Sequence, residues 1–540
     1  MRAVAALSVL MAAGLGIALW GARAERRAAP PKPRPQQVST DGGTPGHPPP
    51  EEDPPVVPHP PPGEDRRTTG WRFGDGSERL LALAPASLQS TCGSCHAVPS
   101  PTILPRGRWR PVIEDMMRLA VLRRRAPLGR EEMEAAAAFY YEHSPTGFLP
   151  LPDGPVADPV AWNAASAGRA RDADPRITNV AVVDLDRDGV PDILACDAQA
   201  QTVVWLRKSA EGWKEEILAI LPSAGHTAVV DADGDGDLDV AVAGVGSLIP
   251  TDDAAGYATI LYNDGPGTWR RSDILRDVPR LADIQPADLD GDGDLDWAVA
   301  CFGWRMTGFV GWLRNDGTGY ELIRLDERPG AIHVPVVDLD GDGRLDIVAI
   351  LAQENEEIVF YRNGARGFET RKLWSAGNPL YGCSGLEMVD LDGDGDLDCL
   401  FSNGDSLDDP TGMSKPYHGV QWLENLGGLE FAWREIGRCY GAYRATAADL
   451  DRDGDLDVAV AVMFGDWEAP GARGLLWYEN DGSMGFTRHD VDGAPDHMIS
   501  VAAGDLDGDG DPDLVTGRLL FGVSGRRANG IQVWENRGRR

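Results

Sequence analysis

The chain has 540 residues, 42% of them hydrophobic, with 65 Gly and 40 Pro. That is enough apolar material for a core, and the Gly and Pro content speaks against a mostly helical protein. The net charge of −34 argues against nucleic acid as a partner, and it is unevenly placed: residues 1–150 carry +3 and residues 151–540 carry −37.

In chain order, residues 1–24 read as an export segment. Arg2 precedes an 18-residue apolar run, and Ala22-Arg23-Ala24 offers a small-x-small cleavage site. The run is also long enough to span a bilayer, so a cleaved signal and a retained membrane anchor both stay open. No second apolar run of that length follows, which predicts a periplasmic or extracellular protein, with any membrane contact made by the N-terminus. Residues 25–70 hold fourteen prolines between Pro30 and Pro62. Proline removes backbone donors and fixes φ, so this stretch reads as an extended linker.

Cys92-Gly93-Ser94-Cys95-His96 is a C-x-x-C-H motif. Two thiols at this spacing can form thioethers to one haem, and the adjacent His can ligate its iron. A thioredoxin-like reading needs a βαβ context, which is not visible here. Amphipathic stretches at 77–90, 108–125 and 131–143 predict helices, the last opened by acids and closed by His143 as the helix dipole favours. Residues 71–150 therefore resemble a monohaem cytochrome c domain. That resemblance implies haem c as covalent cofactor on Cys92, Cys95 and His96, with Met117 as sixth ligand. Met116 comes next and His143 after it; both methionines can equally be core fillers. Eight arginines between Arg106 and Arg130 face two acids, which suits either a docking face for an acidic partner or a solvated surface.

The second part repeats. D-x-D-x-D-G-x-x-D occurs seven times at intervals of 47 to 59 residues, which marks an array of similar units. Carboxylates at positions 1, 3, 5 and 9 can converge on a hard cation, with Gly at position 6 making the turn. The candidate calcium ligands are Asp184, Asp186, Asp188 and Asp192; Asp231, Asp233, Asp235 and Asp239; Asp288, Asp290, Asp292 and Asp296; Asp338, Asp340, Asp342 and Asp346; Asp390, Asp392, Asp394 and Asp398; Asp449, Asp451, Asp453 and Asp457; and Asp505, Asp507, Asp509 and Asp513. Up to seven Ca²⁺ follow from this pattern. Short apolar β-rich runs flank each loop, and an aromatic strand ending at Asn263, Asn315, Asn363, Asn425, Asn480 or Asn536 recurs later in each unit, with Lys208 in its place in the first. Four strands per unit and seven units predict a mainly β protein, a seven-bladed β-propeller over residues 151–540 behind a small all-α domain. The loops resemble FG-GAP/VCBS repeats, the calcium-loop blades of integrin-type propellers. The last unit lacks an outer strand, which residues 158–180 are expected to supply.

Insertions at 246–256, 402–419, 464–474 and 520–530 share the face opposite the acidic loops, and function tends to reside on such loops. Five residues before the first loop aspartate stand Asn179, His226, Asp283, His333 and Arg444. His226, Asp283, His333 and Arg444, with His418 and Asp405 near the same mouth, form a possible ligand site for an anion, a polyol or a second metal; water-filled polar lining is the plainer alternative. Cys196, Cys301 and Cys399 are expected to be buried, and Cys383 and Cys439 precede consecutive inner strands, where a disulfide is conceivable. The segments around residues 326–343, 353–358, 402–409 and 415–425 resemble exported bacterial haem-c/VCBS proteins, a likeness that supplies no catalytic residues. The resulting expectation is an exported electron-transfer protein whose propeller docks a redox partner protein or a small-molecule or glycan ligand. The alternatives are a haem-c-linked dehydrogenase acting on a sugar-like substrate, and a calcium-dependent adhesion propeller.

Overall fold

In six of the seven blades the strand that follows the acidic loop is mostly apolar and buried along its whole length. Asp192–Asp197, Asp239–Gly244, Asp296–Cys301, Asp346–Leu351, Asp398–Ser402 and Asp457–Val462 are buried at every position. A strand covered on both faces reads as a continuous apolar run, whereas one covered on a single face alternates. The outer strand Gly367–Ser375 is the contrast, mostly exposed with only Phe368, Leu373 and Trp374 half-buried.

The computed structural model describes residues 79–147, 151, 156–169, 174–407, 415–465, 467, 472–491, 493–494, 496–521 and 529–540. The export segment, the proline-rich linker and parts of the insertions at 402–419, 464–474 and 520–530 lie outside the described residues. Among the described residues no helix is long and apolar enough to cross a membrane.

Seven antiparallel sheets follow one another, each running from an inner to an outer strand. Blade 3 shows the pattern: Leu281–Ala287, Asp296–Cys301, Phe309–Asn315 and Tyr320–Asp326 pair in that order. In blade 4 the inner strand is split into Ala331–His333 and Val336–Val337, with Val334 and Pro335 between. Inner strands of consecutive blades pack together, and that of blade 1 packs on that of blade 7, so the ring closes. The outer strand of blade 7 comes from the front of the propeller. Val160–Ala167 pairs with the C-terminal strand Ile531–Arg539, placing Ala164 opposite Trp534. This is the closure expected from the sequence, and it joins the two ends of the ring by hydrogen bonds.

The core lies between blades rather than within them. Each apolar cluster takes residues from two neighbours: Trp205 of blade 1 with Leu261 of blade 2, Phe309 with Ile260, Trp422 with Tyr478, and Trp477 with Trp534. The cluster between blades 4 and 5 extends further, into the helical segment before the propeller.

That segment contains helices α1 (Ala86–Cys92), α2 (Trp109–Leu122) and α3 (Arg130–His143). The α3 N-terminus is capped by Glu132, whose carboxylate accepts the Gly129 N–H at 2.8 Å, and its first turn carries Glu131 and Glu132. Trp109 stacks on Tyr140 with centroids 3.8 Å apart, while the Trp109 indole donates to Leu104 O and the Tyr140 hydroxyl to Pro99 O. These contacts fix the loop that follows His96 against α2 and α3.

Closure predicts the cost of damaging it. Trp534 is 1% exposed in the cluster joining blades 6 and 7, next to the closing strand. Trp534→Ala should destabilise the protein by about 3–5 kcal/mol in urea unfolding. A loss below about 1 kcal/mol would show that the seam relaxes around the cavity.

Candidate functional site

The acidic loops share one backbone device. In all seven, the first aspartate accepts the backbone N–H of the glycine at position 6, from Gly189 to Asp184 in blade 1 through Gly510 to Asp505 in blade 7, at 2.9–3.2 Å. Those glycines have φ between 86° and 102°, a region costly for other residues.

The ninth residue has a second task that the spacing alone did not reveal. In blades 2 to 7 the carboxylate of Asp239, Asp296, Asp346, Asp398, Asp457 or Asp513 accepts the N–H of loop position 2 through one oxygen. Through the other it accepts the N–H of the recurring asparagine, at 2.6–2.9 Å. In blade 1, where Lys208 replaces that asparagine, Asp192 accepts the Trp205 indole N–H at 2.8 Å. The asparagine amide donates to the residue before the ninth aspartate. Asn363 and Asn536 donate also to the preceding blade, at Leu289 O and Leu450 O. The signal was present in sequence as the co-occurrence of Asp at position 9 with a later Asn.

The donor set fits a hard divalent cation. Carboxylate oxygens of Asp184, Asp186 and Asp188 lie within 4.8 Å of one another, as do those of Asp231, Asp233 and Asp239, of Asp288, Asp290 and Asp296, and of Asp338, Asp340 and Asp346. Burial pushes Asp192 and Asp513 up to about 6, Asp398 to about 7 and Asp457 to about 8. A cation at the loop would favour the charged form against that burial. Arginines already lean on several loops: Arg270 on Asp233, Arg362 on Asp340 and Asp342, Arg537 on Asp507, and Arg539 on Asp451.

At the propeller centre, a β-bulge in the inner strand precedes the residue five places before the loop in six blades: Asn179, His226, Asp283, His333, Arg444 and Ser500. A bulge inserts one residue and re-aims the side chains that follow it. The channel mouth encloses 1810 Å³ including its opening, and Asn179, His226, His333, Arg444 and Ser500 line it. Asp283 sits behind two of them, 1% exposed. Its carboxylate accepts Ile284 N at 2.7 Å, Gln285 Nε2 at 2.9 Å and Val334 N at 3.0 Å. His226 Nδ1 is 2.8 Å from it and His333 Nδ1 3.5 Å. Burial works against its charge, yet His226 and His333 hold Asp283 well below the usual carboxylate range. Arg444 Nη1 lies 3.0 Å from His333 Nε2. A guanidinium can only donate, so His333 accepts there and carries its proton on Nδ1. Burial and the Arg444 charge lower His333 to about 4, so it is neutral. The set Arg444–His333–Asp283–His226 is thus one connected polar network.

Two expected members stand differently. Asp405 lines the channel. His418 does not: it is fully buried beside Tyr417 and faces the Gly441 N–H through Nδ1. All seven cysteines are free thiols, Cys383 and Cys439 included, and Cys196, Cys301 and Cys399 are buried.

The C-x-x-C-H segment runs out of α1 into a turn. Cys92 is half-buried, with burial pushing its thiol up, and Cys95 is exposed. His96 Nδ1 donates to Ala97 O at 2.8 Å, which leaves Nε2 as the nitrogen with a lone pair. Arg125 Nη1 donates to Ser94 O at 2.7 Å and pins the motif to the end of α2. His96 and Met116 share a crevice of 850 Å³ including its opening. Met117, one residue on, is packed in the helical core, where its sulfur accepts the Leu128 N–H at 3.1 Å. His143 meets Phe139 with rings tilted at 58°, at the far end of α3, and is absent from the crevice lining.

Seven blades of four strands, each with one acidic loop between its first two strands, define a repeat β-propeller. The FG-GAP-like repeat model matches residues 184–242, 231–299, 288–349, 338–401 and 462–516, and the FG-GAP repeat model matches 499–534. The chain belongs to the FG-GAP repeat family. No curated protein matches it. Among solved structures, BBS1N in complex with ARL6DN is similar at 12% identity, covering 70% of this chain and 97% of that one with a TM-score of 0.42. Rhamnogalacturonan lyase YesW is similar at 15% identity, covering 67% and 77% with a TM-score of 0.37. The N-terminal domain of Nup159 is similar at 12%, covering 71% and 97% with a TM-score of 0.41.

The asparagine clasp can be tested by removing one amide. Asn363→Ala strands the buried Leu289 O and the partly exposed Leu345 O, and should cost about 1–3 kcal/mol in urea unfolding. Lys208→Ala, at the equivalent position of blade 1, should cost about 0.5 kcal/mol or less. Equal effects at both positions would contradict the clasp.

Proposed function

We propose that this protein is an exported haem-c electron-transfer protein whose calcium-stabilised propeller presents a ligand or partner site at its channel mouth. One observation carries the reading. His96 turns Nδ1 to its own chain and leaves Nε2 to a crevice it shares with Met116, directly after Cys92 and Cys95. Those residues fit haem c: Cys92 and Cys95 would hold it through thioethers, and His96 would ligate the iron through Nε2. Haem c, when bound, supplies a one-electron Fe(III)/Fe(II) couple. Of the two methionines, Met116 faces the crevice, whereas the sulfur of Met117 already accepts a backbone N–H, so we assign the sixth position to Met116. Trp109, Tyr140 and Arg125 keep the motif and α2 in fixed relation, which limits the rearrangement that slows electron transfer.

The acidic loops would each hold one Ca²⁺, with positions 1, 3 and 5 as outer ligands and position 9 tying the ion to the asparagine turn. Calcium in this reading is structural. A second reading, oxidation of a polyol or hydroxy acid at the channel, is favoured by Asp405, which lines both the channel and the crevice. His226 and Arg444 would there receive a hydroxyl and an anionic group.

Expression of the exported form with haem-maturation machinery should give a covalent c-type spectrum that Cys92→Ala/Cys95→Ala abolishes. Absence of haem under conditions that mature a known cytochrome c overturns the redox reading and leaves a binding propeller. Met116→Ala should lower the midpoint potential, since a thioether ligand raises it. Met117→Ala should instead cost about 2–5 kcal/mol of stability with the potential retained. Chelation of calcium should lower the thermal midpoint, and re-addition restore it. A site saturated at about 100 times its Kd contributes about 2.7 kcal/mol. An unchanged midpoint on chelation would rule out structural calcium.

A further inference from the structure

We infer that blades 3 to 5 supply one wall of the redox crevice, so that the helical segment and the propeller form a single redox unit in which Arg305 and Glu354 set the potential. The inference rests on the haem reading above. Three independent observations lead to it.

The first is packing. Val112, Ile113 and Met117 of α2 belong to the same apolar cluster as Ile350, Tyr381 and Cys383 of blades 4 and 5. A hinged domain would bury its core separately; here the two cores are continuous.

The second is a reciprocal clamp. Arg123, at the end of α2, donates to Arg305 O at 2.6 Å and pairs with Glu354. Arg305, from the propeller, pairs with Asp115 of α2 at 2.5 Å. All four side chains are 14–19% exposed, so solvent screens them far less than it screens a surface pair. The loop that carries Glu354 is held in place. Gln353 and Glu356 adopt φ of 59° and 48°, and the buried Glu356 carboxylate accepts Gly382 N at 3.1 Å and Cys383 N at 2.7 Å. Non-glycine residues persist in that region only where their surroundings over-determine them.

The third is the cavity. The crevice that contains His96 and Met116 is lined on its other side by Arg305, Glu354, Glu356 and Lys415. As a general magnitude, a unit charge about 10 Å from a redox centre, at an effective dielectric near 20, changes the balance of oxidised and reduced forms by about tenfold. Charge on this wall therefore acts on the couple with a defined sign. Arg305→Ala removes a cation and releases the Asp115 carboxylate; both changes favour the more positive, oxidised form. Glu354→Gln removes an anion and releases the Arg123 guanidinium; both favour the reduced form.

The test is redox titration of the full-length, haem-loaded protein. At a fixed ambient potential the oxidised-to-reduced ratio should rise about threefold to tenfold in Arg305→Ala and fall by a similar factor in Glu354→Gln. Arg276→Ala, an exposed cation on an outer strand of blade 2, should leave it unchanged. Amide hydrogen exchange in residues 109–122 should quicken in Arg305→Ala/Glu354→Gln relative to the parent. Two haem-loaded variants that titrate like the parent, with unchanged exchange in α2, would overturn the inference while leaving the haem reading intact. A parent chain that takes up no haem overturns the haem reading itself, and unchanged exchange in the haem-free variants then also refutes the docking.

Discussion

The propeller depends on one buried carboxylate per blade. The ninth residue of each acidic loop is an aspartate at the start of the most buried strand, in a place where an unpaired charge would be prohibitive. In six blades two backbone N–H groups approach it from opposite sides, one from the loop and one from the asparagine turn. The loop, the central strand and the next turn are thereby fixed to a single point. The arrangement also explains the composition: the acidity of the second part is concentrated in residues that organise turns, and its cost is bounded because each buried carboxylate is hydrogen-bonded. Two of the clasping asparagines reach the preceding blade as well, so the turn contributes to the blade interface.

With the rim fixed in this way, the inner strands are free to vary. A bulge recurs at one position in six of them; in five the residue there lines the channel, and in the sixth Asp283 lies behind its neighbours. Asn179, His226, Asp283, His333 and Arg444 comprise four residue types of different charge and size in one shared backbone setting. A common frame with a variable lining is the arrangement in which specificity changes without loss of fold.

The repeat architecture was legible because seven copies of one loop carry the same spacing, and because wholly buried strands leave unbroken apolar runs. Closure by the strand at Val160–Ala167 was legible from a missing element at the C-terminus. The bulges were not, since an extra residue in a short apolar strand leaves no mark in composition. His418 illustrates the same limit. Its position in the chain suggested the channel mouth, but the turn that ends at Gly419 buries it completely. Met116 and Met117 show why helical spacing alone could not settle a choice between adjacent residues: neighbours on a helix point about 100° apart, so only the packing of Leu128 against the Met117 sulfur separates them.

The arginine-rich helical segment was open to two readings from sequence, a docking face or a solvated one. The structure divides the residues between local and long-range tasks. Arg125 ties down the C-x-x-C-H turn, Arg110 pairs with Glu134 within the helices, and Arg123 reaches the propeller. The acidic surface opposite a basic segment is therefore, at least for Arg123, the chain's own. The merged apolar core supplies non-directional cohesion, and the two crossing ion pairs add to it. The distinctive effect of the pairs is orientation: Arg123 and Arg305 point in opposite directions, so sliding α2 along the blade loops breaks both at once. Apolar contact alone would tolerate such sliding, because it has no preferred direction. The clamp thus explains why one helix meets these loops at one register, with His96 and Met116 facing the wall formed by Glu354, Glu356 and Lys415.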